Sequence, residues 1–468
     1  MRILNKVIIA LIFVLSGVMF FHSLTSVNAD IGRHIKLGEI IWQTKSVPGT
    51  NLLSFTAPDY PFINHHWLSE VIFYKIYSLG GSWIGGLRAV MIFKVIVLLS
   101  IYFLLFLIVR KRNIFSVVLA FFVSIFVFSA RTEPRPEIFS YLIFAAYLLI
   151  IYKVKDKSTL NLKPFSFNLL WLLPVLQLFW VNTHIYFAIG PIIFLFFLID
   201  KFANSKLKIL SFIQNSKLEI LIFTLIILAN LANPNFINGA LYPLKVLNNY
   251  GYSVAENSSL FFLAKYFGHW APQDKLFLIS FFVLAGSFIL WFWKNGFVAL
   301  KTRIFDIFLS AMTVILSFKM QRNIPLFALS LWPVVSDNLT GITNFAKKWL
   351  SICAIFVLMA SIYLVASGRF YNYLDSAKIF GLNVSSAAQD GTDFIKNNNI
   401  QGPVFNNFDI GSYLSWQLYP VQKVFIDGRP EAYPVSFFED IYKPMQRDQK
   451  VWQEMSEKYG INYIFFAE

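Results

Sequence analysis

Up to about residue 369 this chain consists of long apolar runs separated by short polar breaks; beyond that point hydrophobic and polar positions alternate at much shorter range. A membrane-crossing helix needs roughly 20 predominantly apolar residues. The pattern predicts about eleven such spans, at 7–21, 83–109, 114–130, 138–152, 168–181, 185–199, 218–231, 276–293, 304–318, 324–335 and 350–366. The first run follows Arg2 and Lys6, and Val27-Asn28-Ala29 downstream fits the small-residue pattern of a signal-peptide cleavage site. An uncleaved first span is the favoured reading, because everything after it already belongs in a membrane. In the last hundred residues, β-like runs at 403–405, 423–426 and 463–466 alternate with helix-like runs at 387–397 and 449–459. The fold expected is an α-helical polytopic membrane protein over 1–369, with a long first outer loop at 22–81 and a small extracytoplasmic α/β domain over 370–468.

Composition agrees with this division. Hydrophobic residues make up 57% of the chain and charged residues only 14%, against about a quarter charged in soluble domains. The net charge of +15 would suit nucleic acid, but its distribution argues otherwise. Lys and Arg gather at 110–112, 153–163, 201–217, 294–303 and 347–348, in every second loop, as in cytoplasmic loops of membrane proteins. With an odd number of spans, the N-terminus falls inside and the C-terminus outside. The single cysteine, Cys353, lies within an apolar run, so no disulfide framework or cysteine metal site is available.

The polar residues that need explaining fall on the outer side. The loop at 22–81 is too long for a mere connection. Within it Asp30, Arg33 and His34 have i, i+3, i+4 spacing, which places them on one helical face. A second, short helix is expected from Asn64 as N-cap, with His65, His66 and Glu70 at its start and Leu68, Ile72 and Ile76 forming an apolar face for the membrane interface. Other outer loops carry Arg131, Glu133 and Arg135 in one seven-residue stretch ending at Glu137, then Asn182 and His184, then Asn233-Pro234-Asn235, then Lys319 and Arg322. Ionisable groups at membrane depth are costly unless paired or facing water, so together they suggest a cavity of mixed acid and base character. Plainer readings stand beside this one. The arginines can snorkel to lipid phosphates, Glu70 can brace His66, and Asn233-Pro234 terminates a helix. His65 and His66 are more readily interfacial hydrogen-bonders than metal ligands. In the C-terminal region Asp409 follows one β-like run and Asp427-Gly428-Arg429 follows another, as a tight turn or as a ligand-binding edge.

These residues carry a resemblance. Ala29-Asp30-Ile31-Gly32-Arg33-His34, Asn64-His65-His66-Trp67-Leu68-Ser69-Glu70, Trp180-Val181-Asn182-Thr183-His184 and Phe425-Ile426-Asp427-Gly428-Arg429 are similar to segments of bacterial membrane proteins placed among the GT-C glycosyltransferases. That superfamily includes oligosaccharyltransferases, protein O-mannosyltransferases and aminoarabinose transferases. The resemblance implies a transferase of the bacterial plasma membrane that moves a sugar from a polyprenyl-phosphate-linked donor to an extracytoplasmic acceptor. Asp30 matches the first-loop acid that acts as general base, or as metal ligand in the oligosaccharyltransferases. A divalent metal ion is therefore a possible cofactor, although the sequence supplies no second acid beside Asp30. Phe408-Asp409-Ile410-Gly411 is faintly similar to the acceptor-binding Trp-Trp-Asp-Tyr-Gly motif of those enzymes but lacks both tryptophans. Under this reading Arg131, Arg135, Arg322 and Lys319 neutralise the leaving phosphate. Two rivals remain: a lipid-linked glycan transporter, which would want charge through the depth of the bundle where Lys94 stands nearly alone, and a non-catalytic membrane assembly subunit.

Overall fold

The computed structural model describes residues 2–25, 30–156, 168–205, 207–245, 249–340, 348–385 and 388–466. Val27-Asn28-Ala29, residues 157–163 of one basic cluster, Lys206, Lys347 and Ala387 lie outside them. Each of the expected spans coincides with a helix. The N-terminal half runs α1 (Arg2–Phe20), α2 (Ile31–Thr44), α3 (Trp67–Gly80), α4 (Gly86–Val109), α5 (Ile114–Phe128), α6 (Glu137–Lys155), α7 (Leu172–Thr183) and α8 (Ile189–Ser205). Helices Lys217–Ala229, Pro272–Asn295, Ile304–Lys319, Ile324–Thr340 and Lys348–Ala366 complete the apolar set. Among the described residues, six apolar stretches are long enough to cross a membrane: Arg2–Phe20, Trp67–Val109, Glu137–Lys155, Ile185–Ser205, Pro272–Asn295 and Lys348–Ala366. The bent pair Ile209–Asn215 and Lys217–Ala229 adds a seventh if it counts as one span.

The short interfacial helix expected from Asn64 needs correcting. The helix begins at Trp67 and runs to Gly80. Asn64 instead accepts the His66 amide at 3.1 Å and donates to Glu70 at 2.6 Å. Ile72 and Ile76 pack on the bundle core. A π turn at Gly81–Gly85, with positive φ at Gly81 and Gly85, folds α4 back on α3. The approach is close: a Cβ on Gly86 would sit 2.4 Å from the Tyr77 ring. Glycine suits the positive φ at Gly81 and Gly85, and at Gly86 it suits the close contact with Tyr77.

The central helix, Ile324–Thr340, is buried along nearly its whole length and packs on α5, where the Trp332 indole donates to the Val117 carbonyl at 3.1 Å and Ser124 to Ala328 at 2.7 Å. Small hydroxyls thus satisfy themselves on helix carbonyls, as an apolar interior requires. Ion pairs sit at one end of the bundle: Arg112–Asp337 at 2.6 Å, Arg303–Asp306 at 2.9 Å and Lys155–Asp200 at 3.0 Å.

The C-terminal region packs against the segment between α1 and α3. Leu24–Thr25 pairs in parallel with Val384–Ser385, and Val404–Asn406 with Tyr463–Phe465. The β-like run at 423–426 makes only an isolated parallel bridge, Ser54 with Val424. Phe405, Phe425, Tyr433 and Phe437 form an apolar cluster that takes in Phe62, from the segment between α2 and α3. Helix Phe408–Leu418 docks on α2 at Gly32, where a Cβ would meet Trp416 at 2.9 Å, and α2 docks on α3 at Gly38, where a Cβ would lie 2.0 Å from the Glu70 carbonyl. These two glycines set how closely these elements approach.

Candidate active site

A cavity of about 300 Å³ lies where α2, the start of α6, Tyr242, the segments at 250–257 and 320–323, and the C-terminal region meet. Asp30, Arg33, His34, His65, His66, Arg135, His184, Arg322 and Asp409 all line it. Five separate stretches of the sequence thereby contribute to one space.

Asp30 is the N-cap of α2 in left-handed backbone, φ 52 and ψ 1, and its side chain does not cap the helix. It turns to the C-terminal region instead, where Ser412 donates to Oδ1 at 2.7 Å. Gly428 leaves room for this carboxylate, since a Cβ there would come within 2.6 Å of Oδ1. On the first turn of α2, His34 Nδ1 donates to Glu70 Oε1 at 3.0 Å, while Arg33 lies 3.5 Å from His34 Nε2 and 4.0 Å from Glu70. Glu70 itself is buried behind His34, so the expected His66–Glu70 pairing is replaced by His34–Glu70. The His65 and His66 ring centroids are 3.8 Å apart, and His66 lies 5.4 Å from His184. Burial holds His34, His65 and His66 below the ordinary imidazole range, with His65 at about 4, so at neutral pH these rings are uncharged. His184 Nδ1 is 2.8 Å from Ser140 Oγ, which anchors the ring from behind.

The opposite wall is a box of arginines and glutamates. Arg131 donates to Glu256 at 2.7 Å and to Glu137 at 2.9 Å; Arg135 reaches Glu256 at 3.1 Å; Arg322 reaches Glu137 at 3.4 Å and Asn257 at 3.0 Å. Arg131 backs this wall without lining the cavity. Burial acts to raise the Glu256 carboxyl, but Arg131 and Arg135 outweigh it and hold it well below the usual range. The arginines are paired to Glu137 and Glu256 within the protein.

Other candidates lie elsewhere. Glu133 pairs with Lys378 at 2.7 Å, Asn182 accepts from the Trp67 indole at 2.8 Å, and Lys319 is exposed outside the cavity. Asp427 and Arg429 form a fully buried pair at 2.5 Å, with Arg429 also donating to Asn51 at 2.6 Å. They fix the turn that presents Gly428; they do not reach the cavity. Asp409 and Glu431 do reach it. Desolvation first, and then the charge of Asp30, raise Asp409; burial raises Glu431. Glu137, Tyr242, Tyr250, Glu256 and Glu431 were not among the candidates read from sequence. Glu137 ends the very stretch that supplied Arg131 and Arg135, and was within reach of that reading. Glu256 sits in a loop with no local signal.

The donor set does not fit a divalent ion. Among the described residues no three His, Cys, Asp or Glu side chains come together as a ligand group.

No protein-family model matches the sequence, and no curated protein matches it either. The solved structures do give matches. The archaeal oligosaccharyltransferase AglB from Archaeoglobus fulgidus, in complex with an inhibitory peptide and a dolichol-phosphate, superposes with a TM-score of 0.64 at 11% identity, over 98% of this chain and 69% of that one. The apo form of the Archaeoglobus fulgidus enzyme gives 0.60, and the form tethered to an acceptor peptide containing the NVT sequon gives 0.64 at 10% identity. The chain therefore shares its fold with the archaeal oligosaccharyltransferase, and with its long apolar helices it is an integral membrane protein.

Proposed function

We propose that this chain is a membrane glycosyltransferase that moves a sugar from a lipid-phosphate carrier, of the polyprenyl type, to an acceptor on the outer side of a bacterial plasma membrane. One observation carries the reading: an acid and a set of arginines, drawn from distant outer segments, share one polar cavity in a protein of this fold. The similar archaeal enzyme has been captured with dolichol-phosphate and with acceptor peptide, which supports a lipid-linked donor here.

In the reaction, an acceptor O–H or N–H attacks the anomeric carbon, the bond from that carbon to the phosphate oxygen breaks, and Asp30 takes the acceptor's proton. The phosphate leaves with its negative charge against Arg135 and Arg322, which need no reorganisation to receive it. The uncharged rings of His34, His65 and His66 serve as hydrogen-bond partners for sugar hydroxyls, and Tyr242, Tyr250 and Phe408 offer faces for the sugar ring. No step is routed through a metal.

The test is sugar transfer from a lipid-phosphate donor in membranes containing wild-type chain or Asp30→Asn, with protein level measured alongside. The variant should lose on the order of a hundredfold or more while its protein level holds. Full activity would remove Asp30 as base. Loss of protein would make Asp30 a structural anchor for Ser412.

A further inference from the structure

The arginine wall has a countable charge. Arg131, Arg135 and Arg322 converge from the α5–α6 loop and from the turn at Gln321–Asn323, and two carboxylates are already set among them. Glu137 comes from the first turn of α6 and Glu256 from the short turn Ala255–Asn257. Three cations against two anions leave one positive charge. The rest of the cavity holds no reserve. Its other cation, Arg33, stands 4.0 Å from Glu70, and the remaining charged groups that line it are Asp30, Asp409 and Glu431, all acids.

This bears on the donor, and it rests on the donor reading above. A sugar joined to lipid through one phosphate is a phosphodiester with a single negative charge. Joined through a diphosphate it carries two. A charge brought into a low-dielectric cavity without its counter-charge is strongly disfavoured. We propose that Glu256, with Glu137, is a specificity-determining residue: it trims the arginine wall to one net positive charge, so that the site takes a lipid monophosphate diester and rejects the diphosphate. Glu256 is the tunable member. Its Oε2 bridges Arg131 and Arg135 from a surface loop, whereas Glu137 is built into a helix. Replacing Glu256 by glutamine keeps the shape and raises the wall by one charge.

The experiment uses the full chain in detergent and two probes, the methyl esters of farnesyl phosphate and of farnesyl diphosphate, in which the methyl group stands where the sugar would be. Dissociation constants are measured by thermophoresis, with and without added Mn²⁺. Wild-type chain should bind the singly charged ester about tenfold or more tightly than the doubly charged one, and Glu256→Gln should shift that ratio about tenfold or more toward the diphosphate. The wild-type ratio tests the idea even if the variant does not fold. Preference of the wild type for the diphosphate, with or without Mn²⁺, overturns the proposal, as does a ratio unmoved in folded Glu256→Gln. Binding of neither ester by the wild type overturns the donor reading itself.

Discussion

Asp30 occupies left-handed backbone, which costs a residue with a Cβ about 1 kcal/mol or more. The surroundings that hold it there are specific: Ser412 at Oδ1, and Gly428 without a side chain beside it. Gly428→Ala would therefore place a methyl 2.6 Å from the carboxylate and push it from its position. Transfer activity should fall about tenfold or more, since small misplacements of a reacting group are costly. Thermal unfolding of the purified variant should change far less than it would for a core substitution; a collapse of folding with proportional loss of activity would show that the glycine serves packing alone. The histidines make a second prediction. His65 has an ordinary value of 6.5 and is lowered to about 4 when folded, by burial. Between those values the unfolded chain binds more protons than the folded one, so acidification favours unfolding. Stability in detergent should be full above about pH 6.5 and decline as pH falls toward 4, and His65→Gln should flatten that slope. A slope unchanged in the variant would assign the acid sensitivity to other groups, His34 and His66 first.

At the level of elements, what could be read in advance follows from the range of the interactions involved. Apolar runs are local, and each predicted span lands on a helix. The Asp30, Arg33 and His34 spacing is also local, and the three do share the cavity. The start of α3 was misplaced because Asn64 looks like a cap while its side chain is committed to His66 and Glu70. The run at 423–426 has strand composition, yet its backbone partner is Ser54, far away in sequence. Glu256 could not be found from its own neighbourhood, because its meaning lies in Arg131 and Arg135, more than a hundred residues earlier. Asp427 and Arg429 looked like site residues for the opposite reason: charged residues near a turn suggest a ligand, but here they are sealed against each other and Asn51. That difference can be measured. Asp427→Asn leaves Arg429 buried without its counter-charge and should cost about 3–5 kcal/mol of stability, read as reduced protein level and a lowered unfolding midpoint. A ligand-binding role would instead weaken substrate binding in a protein of normal stability.

On the scale of the whole molecule the charged groups separate along the bundle. Helix α6 has Glu137 in the cavity at its first residue and Lys153 and Lys155 in its last turn. The 18 steps from Glu137 to Lys155, at about 1.5 Å each, span about 27 Å, close to the thickness of a bilayer's hydrocarbon core. Helix Ile304–Lys319 repeats the arrangement, with Arg303 preceding it at the basic end and Arg322 following it at the cavity end. The cavity and the clusters at 110–112, 153–155 and 294–303 therefore lie on opposite sides. Basic loops stay in the cytoplasm, so the cavity should open outside, together with the C-terminal region that forms its acid wall. A reporter enzyme active only outside the cytoplasm should be active when fused after Glu468. Fused after Asn215, within the basic segment at 201–217, it should be silent, while a cytoplasm-dependent reporter at the same two positions should give the reverse. Activity after Asn215 with silence after Glu468 would turn the cavity toward the cytoplasm. The acceptor would then have to be a cytoplasmic molecule, and the extracytoplasmic transferase proposed here would have to be abandoned even if Asp30 proved to be the base.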